Sequence, residues 1–149
     1  MIARWVVAAA VALGPSLALA ACEKGTETVF SCLTARGKQI EVCASGKTID
    51  YSFGVPGSKP EIVVRALRNA ATTRQWKGIG RHMSYSVQVP NGNTVYDVYW
   101  GVDRLDEKHP EDGGVVVVIN GKEAANVACA KGRPIVQGME GIKLREAQD

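Results

Sequence analysis

From residue 26 onward, short runs of apolar and β-branched residues alternate with turn-forming pairs. The runs at 26–33, 38–44, 47–53, 60–65, 82–89, 94–101, 114–119 and 122–129 largely follow the period of two that puts successive side chains on opposite faces of a strand. Around them stand Arg36-Gly37, Ser45-Gly46, Pro56-Gly57, Asn91-Gly92, Gly113-Gly114 and Asn120-Gly121, pairs suited to tight turns. About eight strands at this spacing predict an all-β fold, a small antiparallel β-barrel or sandwich. Residues 66–81 are the least regular: Ala66–Ala71 predicts a short helix and Gly78-Ile79-Gly80 a loop. From Lys131 to Asp149 the pattern predicts irregular chain with one helical turn near Lys143–Ala147.

Two Asn-Gly pairs make the register explicit, because a two-residue hairpin loop fixes which residues face each other. Pairing Pro90 with Asn93 sets Val87 opposite Tyr96, Tyr85 opposite Val98 and Met83 opposite Trp100, all on one face. The other face collects Ser84, Ser86 and Gln88 against Val95, Asp97 and Tyr99, as expected where a sheet meets water. At Asn120-Gly121 the same reasoning sets Val116 opposite Ala125, Val118 opposite Glu123 and Gly114 opposite Val127. Val115, Val117 and Ile119 are apolar on the reverse side, which fits a central core strand.

The chain begins differently. A basic start at Met1–Arg4, an apolar run at Trp5–Leu13, a Gly14-Pro15 break and Ala18-Leu19-Ala20 have the layout of a secretory signal, too short and wrongly flanked for a spanning helix. Residues 1–20 are thus read as signal peptide and 21–149 as a single secreted β domain, periplasmic or extracellular. Leu19-Ala20-Ala21-Cys22 also matches a bacterial lipobox, so the alternative is a lipoprotein anchored to the membrane through Cys22. In the soluble form Cys22, Cys32, Cys43 and Cys129 make an even set in an oxidising compartment and predict two disulfides, with three connectivities open.

Charge adds a second layer. Without Arg4 the formal charge falls from +3 to +2, which argues against nucleic-acid binding. Ile62 to Tyr96 nevertheless holds five bases, Arg65, Arg68, Arg74, Lys77 and Arg81, and no acid, whereas Asp103 to Asp112 holds five acids against Arg104 and Lys108. Trp76, between Arg74 and Lys77, either plugs the end of the core or presents a cationic-aromatic loop to an anionic envelope ligand. The loop with Asp103, Asp106 and Glu107 is long for a hairpin and suits a cationic protein partner.

Catalytic patterns do not emerge. His82 and His109 lack metal-ligand spacing, Gly46-Lys47-Thr48 has Glu41 where a phosphate loop needs glycine, and no G-x-S-x-G occurs in the mature chain. The reading is an envelope protein that acts by binding, not an enzyme, with no cofactor; the alternative is a lipid-anchored structural or envelope-maintenance protein whose one chemistry is the anchor at Cys22.

The run Val29-Phe30-Ser31-Cys32, then Gly37-Lys38-Gln39-Ile40 with Cys43, Ile49-Asp50-Tyr51-Ser52-Phe53-Gly54, Trp76, Asn91-Gly92, Tyr96-Asp97-Val98-Tyr99 and Cys129 resembles uncharacterised bacterial exported β-domain proteins. A signal peptide followed by a β domain with early and late cysteines also looks like the periplasmic or lipid-anchored inhibitors of c-type lysozyme. Those carry a Ser-Gly-x-x-Tyr contact loop. Here Ser45-Gly46 is followed by Tyr51, two positions further on, and the resemblance alone makes Ser45 and Tyr51 candidate contact residues.

Overall fold

The computed structural model describes residues 22–148; residues 1–20, on which the expected signal peptide falls, Ala21 and Asp149 lie outside the described residues. Strands β1 (Glu27–Leu33), β2 (Gln39–Ala44), β3 (Thr48–Gly54) and β4 (Ile62–Leu67) form one sheet, and a late strand, β10 (Val136–Gln137), adds to its β1 edge. The second sheet has the order β11-β5-β6-β7-β8-β9, from β5 (Thr72–Arg74), β6 (His82–Asn91), β7 (Thr94–Asp103), β8 (Glu111–Ile119), β9 (Lys122–Ala128) and β11 (Arg145–Glu146). Neighbours are antiparallel except β11 and β5, which are parallel. The sheets do not close on each other, so the fold is a sandwich and not a barrel.

Alternation decides which residues enter the core. Phe30, Ile40, Val42, Ile49, Tyr51 and Val64 of the first sheet are buried with Tyr85, Val87, Val89, Val98, Trp100 and Val115 of the second. Tyr51 stacks on Tyr96 across the interface, ring centroids 4.5 Å apart. Cys32, inward on β1, is bonded to Cys129 just beyond β9, and the second bridge joins Cys22 to Cys43. Cys129 N–H donates to Gly113 C=O within the second sheet and Ala130 N–H to Leu33 C=O of the first, so a backbone hydrogen bond and a covalent link tie the sheets at one corner.

The structure corrects several expectations. Ala66–Ala71 is not helical: Ile62, Val64 and Ala66 face inward while Val63, Arg65 and Leu67 face outward, and the chain then turns through Ala70 N–H to Leu67 C=O. Pairing with β3 overrides the helix preference of alanine. Lys143–Ala147 is likewise no helical turn, because Arg145 and Glu146 pair with Thr72 and Thr73 along the edge of β5.

The first hairpin keeps its faces but slides by two residues. Asn91 pairs with Thr94, so Val87 faces Val98 and Tyr85 faces Trp100. The loop is Gly92-Asn93, and only Gly92 has positive φ, at 61°, the signature of a turn with glycine in its first central position. In the second hairpin Asn120 and Gly121 both have positive φ, and Val118 faces Glu123 as expected. A bulge next to Val117/Val118 then shifts the rest by one, setting Val116 against Asn126 and Gly114 against Ala128.

Gly113-Gly114 is no turn either; both lie within β8. A Cβ on Gly114 would sit 2.4 Å from the Val127 carbonyl oxygen and 2.8 Å from the Tyr99 hydroxyl, and one on Gly113 would press on Phe30 at 3.2 Å. These glycines admit their neighbours.

The bridges span very different loops, 97 residues for Cys32–Cys129 and 21 for Cys22–Cys43. Chain-entropy arithmetic gives about 4–5 kcal/mol for the former and about 3 kcal/mol for the latter. Replacing Cys32 and Cys129 together by Ala is expected to lower the urea midpoint more than replacing Cys22 and Cys43, as monitored by tryptophan fluorescence.

Candidate functional site

Pairing His82 with Asp103 makes the chain entering β6 and the chain leaving β7 emerge at the same end of the second sheet. Trp76–Arg81, part of the basic stretch, and the acidic loop, separate in sequence, therefore lie side by side. Arg81 Nε donates to both Asp103 oxygens at 3.0 Å, and its Nη2 lies 2.7 Å from Oδ2. Asp103 Oδ1 also accepts the Leu105 N–H. The Arg81 guanidinium, followed by backbone N–H donors, holds the Asp103 carboxyl below the usual carboxylate range.

The next residue completes a brace between the loops. Arg104 N–H donates to Arg81 C=O at 2.8 Å, and the Arg104 guanidinium lies over the Trp76 ring, 4.6 Å from its centroid. Trp76 is half-buried against the core, and its indole N–H donates to Ile79 C=O at 3.0 Å. It thus closes the core and supports a loop at once. Asp106 accepts the Lys108 N–H through Oδ1 and the His109 N–H through its carbonyl, while Glu107 stays exposed. Ile79 and Leu105, at the tips, are 82% and 71% exposed, the highest of the exposed large apolar residues.

Beyond the acidic loop an open cleft of about 660 Å³ runs between Lys108–Gly113 and Ala128–Arg133, with Tyr99 among its lining residues. The Tyr99 hydroxyl donates to Asn126 Oδ1 at 3.3 Å. Burial, with the nearby Asp112 and Glu123 carboxylates, pushes its pKa up. His82 Nε2 stands 3.6 Å from Asp112 Oδ1.

The structure thus gathers Trp76, Lys77, Asp103, Asp106 and Glu107 at one end and separates the other candidates. Lys77 pairs with Glu146. Arg74 belongs to the outer face of the second sheet, where it pairs with Asp97 at 3.0 Å. Ser45 is held in the β2–β3 turn, its hydroxyl oxygen accepting the Lys47 and Thr48 N–H groups. Tyr51 is 1% exposed, and burial and then Tyr96 raise its pKa. It is a core residue, so it offers no contact surface, because β3 alternation turns it inward beside Ile49.

A second polar place lies on the outer face of the first sheet. Gln39, Glu41 and Cys43 point outward from β2, yet Glu41 is only 7% exposed. Gln39 Nε2 donates to Glu41 Oε2 at 3.2 Å and to Ser31 Oγ at 2.9 Å. Burial pushes the Glu41 carboxyl up. It lines a cleft of about 230 Å³ with Cys22, Cys43, Asp50, Ser52 and Arg65; Arg65 Nε donates to Asp50 Oδ2 at 2.9 Å. Ligand atoms of Cys22, Glu41 and Cys43 lie within 4.8 Å of one another, the spacing of a metal site, but the two sulfurs are bonded to each other.

Comparison with family models, with curated proteins and with solved structures finds no match to this chain.

Sequence reasoning missed Arg81, Ile79, Leu105 and Glu41 as site residues. The loop apolar residues belong to no periodic pattern, and Glu41 occupies a nominally outward position. Arg81→Gln is expected to raise the Asp103 pKa toward the ordinary carboxylate value in a carboxyl-detected NMR titration. Because the folded-state pKa is depressed, the Arg81–Asp103 contribution to stability is present at neutral pH and is lost as the pH falls through that value.

Proposed function

We propose that this chain is a non-enzymatic exported protein that binds a protein partner through the loop end of the second sheet, in the manner of a lysozyme inhibitor. The observation that carries this reading is the pair Ile79 and Leu105, exposed on adjoining loops that are braced by the Arg81–Asp103 fork and the Arg104–Trp76 stack. Two apolar tips surrounded by charged side chains resemble the apolar centre and polar rim of protein interfaces. Prior bracing of the loops lowers the entropy lost on association.

Charge supports a protein partner over an anionic envelope ligand. Lys77 and Arg81, which would attract an anion, are already engaged by Glu146 and Asp103. Asp106 and Glu107 remain on the rim and favour a cationic surface such as that of a c-type lysozyme. With Tyr51 buried, the contact would use different residues from the Ser-Gly-x-x-Tyr loop of those inhibitors.

Two disulfides are consistent with an oxidising periplasmic or extracellular environment. A lipid anchor would require the Cys22 sulfur for a thioether, and a sulfur bonded to Cys43 has no valence left for one. The two forms exclude each other. The intact mass of the purified native protein is expected to match a chain beginning at Ala21 and lacking four thiol hydrogens; an acylated Cys22 would overturn the soluble form.

The binding reading is tested with immobilised c-type lysozyme at low salt. The native chain is expected to be retained, and the Ile79→Asp/Leu105→Asp double variant to pass through with an unchanged far-UV circular dichroism spectrum. Equal retention of the two proteins, or passage of both, sinks the proposal.

A further inference from the structure

The two disulfides occupy different settings. Cys32 is 4% exposed within the core, and its bridge ties the sheets together. Cys22 and Cys43 are half-buried on the outer face of the first sheet and border an open cleft. Opening their bridge releases only the short segment ahead of β1, whereas β2 keeps its pairing with β1 and β3. By thermodynamic linkage, a bridge that stabilises the fold less is itself stabilised less by folding.

The surroundings of this bridge supply chemistry. Thr28 Oγ1 donates to Cys22 Sγ at 3.3 Å, a contact suited to a sulfur that acquires negative charge. Glu41, two residues before Cys43 on the same face of β2, has a carboxylate oxygen within 4.8 Å of both sulfurs. Its one hydrogen-bond donor among the described residues is Gln39. A buried carboxyl on the outside of a sheet, beside an accessible disulfide, is poorly explained by packing.

We propose that Cys22–Cys43 is a thiol–disulfide exchange site that accepts dithiols through this cleft, with Glu41 as its proton donor and acceptor. The dithiol's first thiolate, having given its proton to solvent, attacks Cys43 Sγ. The Cys22–Cys43 bond breaks, a mixed disulfide forms on Cys43, and the Cys22 thiolate leaves beside Thr28 and takes the Glu41 proton. The second thiol of the dithiol gives its proton to the Glu41 carboxylate and attacks the sulfur joined to Cys43. Cys43 leaves as a thiolate and is protonated by solvent. Two electrons pass from the dithiol to the bridge: the dithiol becomes a disulfide, Cys22 and Cys43 become thiols, and Glu41 returns to its starting form.

The test treats the native oxidised protein with dithiothreitol under native conditions and alkylates timed samples for peptide mass mapping. Cys22 and Cys43 are expected to be labelled at least tenfold faster than Cys32 and Cys129, with the far-UV circular dichroism of the native fold retained. Glu41→Gln, which preserves size and a partner for Gln39, is expected to slow labelling of Cys22 and Cys43 at least tenfold and to flatten its pH dependence. The other charged groups facing the cleft, Glu23, Asp50 and Arg65, remain in that variant. A merely structural Glu41 would leave the pH profile unmoved.

Equal opening rates for the two bridges in the native chain, or opening of Cys22–Cys43 at the rate of global unfolding, overturns the proposal without requiring any variant. An unchanged rate and pH profile in Glu41→Gln does so for the proton-transfer step. The cleft belongs to the first sheet and the loop end to the second, so lysozyme retention and disulfide exchange stand or fall separately.

Discussion

A sheet with one apolar and one polar face is unstable alone, and two such sheets hide their apolar faces most simply against each other. Here Phe30, Ile40, Val42, Ile49 and Tyr51 meet Tyr85, Val87, Val98 and Trp100 in that way. This mutual burial fixes much else. It assigns the even and odd positions of each strand, sends the turns to the ends of the sandwich, and leaves the outer faces to charged pairs such as Arg65–Asp50 and Arg74–Asp97. The Cys32–Cys129 bridge reinforces the arrangement without defining it, since the same side chains would face inward in its absence.

How much of this was legible in the sequence follows from how local each determinant is. Alternation depends on neighbours two positions apart, so the main strands and the inward set Tyr85, Val87, Val98 and Trp100 could be read directly. Register depends on one or two turn angles. Reading Asn91-Gly92 as the loop instead of Gly92-Asn93 moved every pair by two while preserving both faces. The bulge beside Val117/Val118 has no such local signal. Strands β5, β10 and β11 are two or three residues long and exist because a distant edge accepts them. Disulfide pairing is equally non-local: four cysteines can be counted, but their proximity belongs to the folded chain.

The candidate site divides in the same way. Trp76, Lys77, Asp103, Asp106 and Glu107 could be placed on loops by composition, but their convergence follows from the His82–Asp103 pairing. That pairing brings the end of the basic stretch against the acidic loop and braces the two, with Arg81 on Asp103 and Arg104 on Trp76. Glu41 was hidden for the opposite reason. Its position in β2 points away from the core, and its burial arises in a cleft shared with Cys22, far away in the chain. Tyr51 lies on the inward series of β3, which a family-based reading of Ser45 and Tyr51 did not weigh.

The late strands also impose an order on assembly. The open edge of β1 is covered by Val136 and Gln137, that of β5 by Arg145 and Glu146, and the sulfur of Cys32 by Cys129. A chain that becomes available from its N-terminus onward therefore displays two unpaired edges and an unmatched thiol until residues 129–146 arrive. Uncovered edges invite pairing with other chains, and contacts so distant in sequence form slowly. The sandwich consequently gains its seal only when residues 129–146 are in place, which makes completion of the fold wait for a late stretch of the polypeptide.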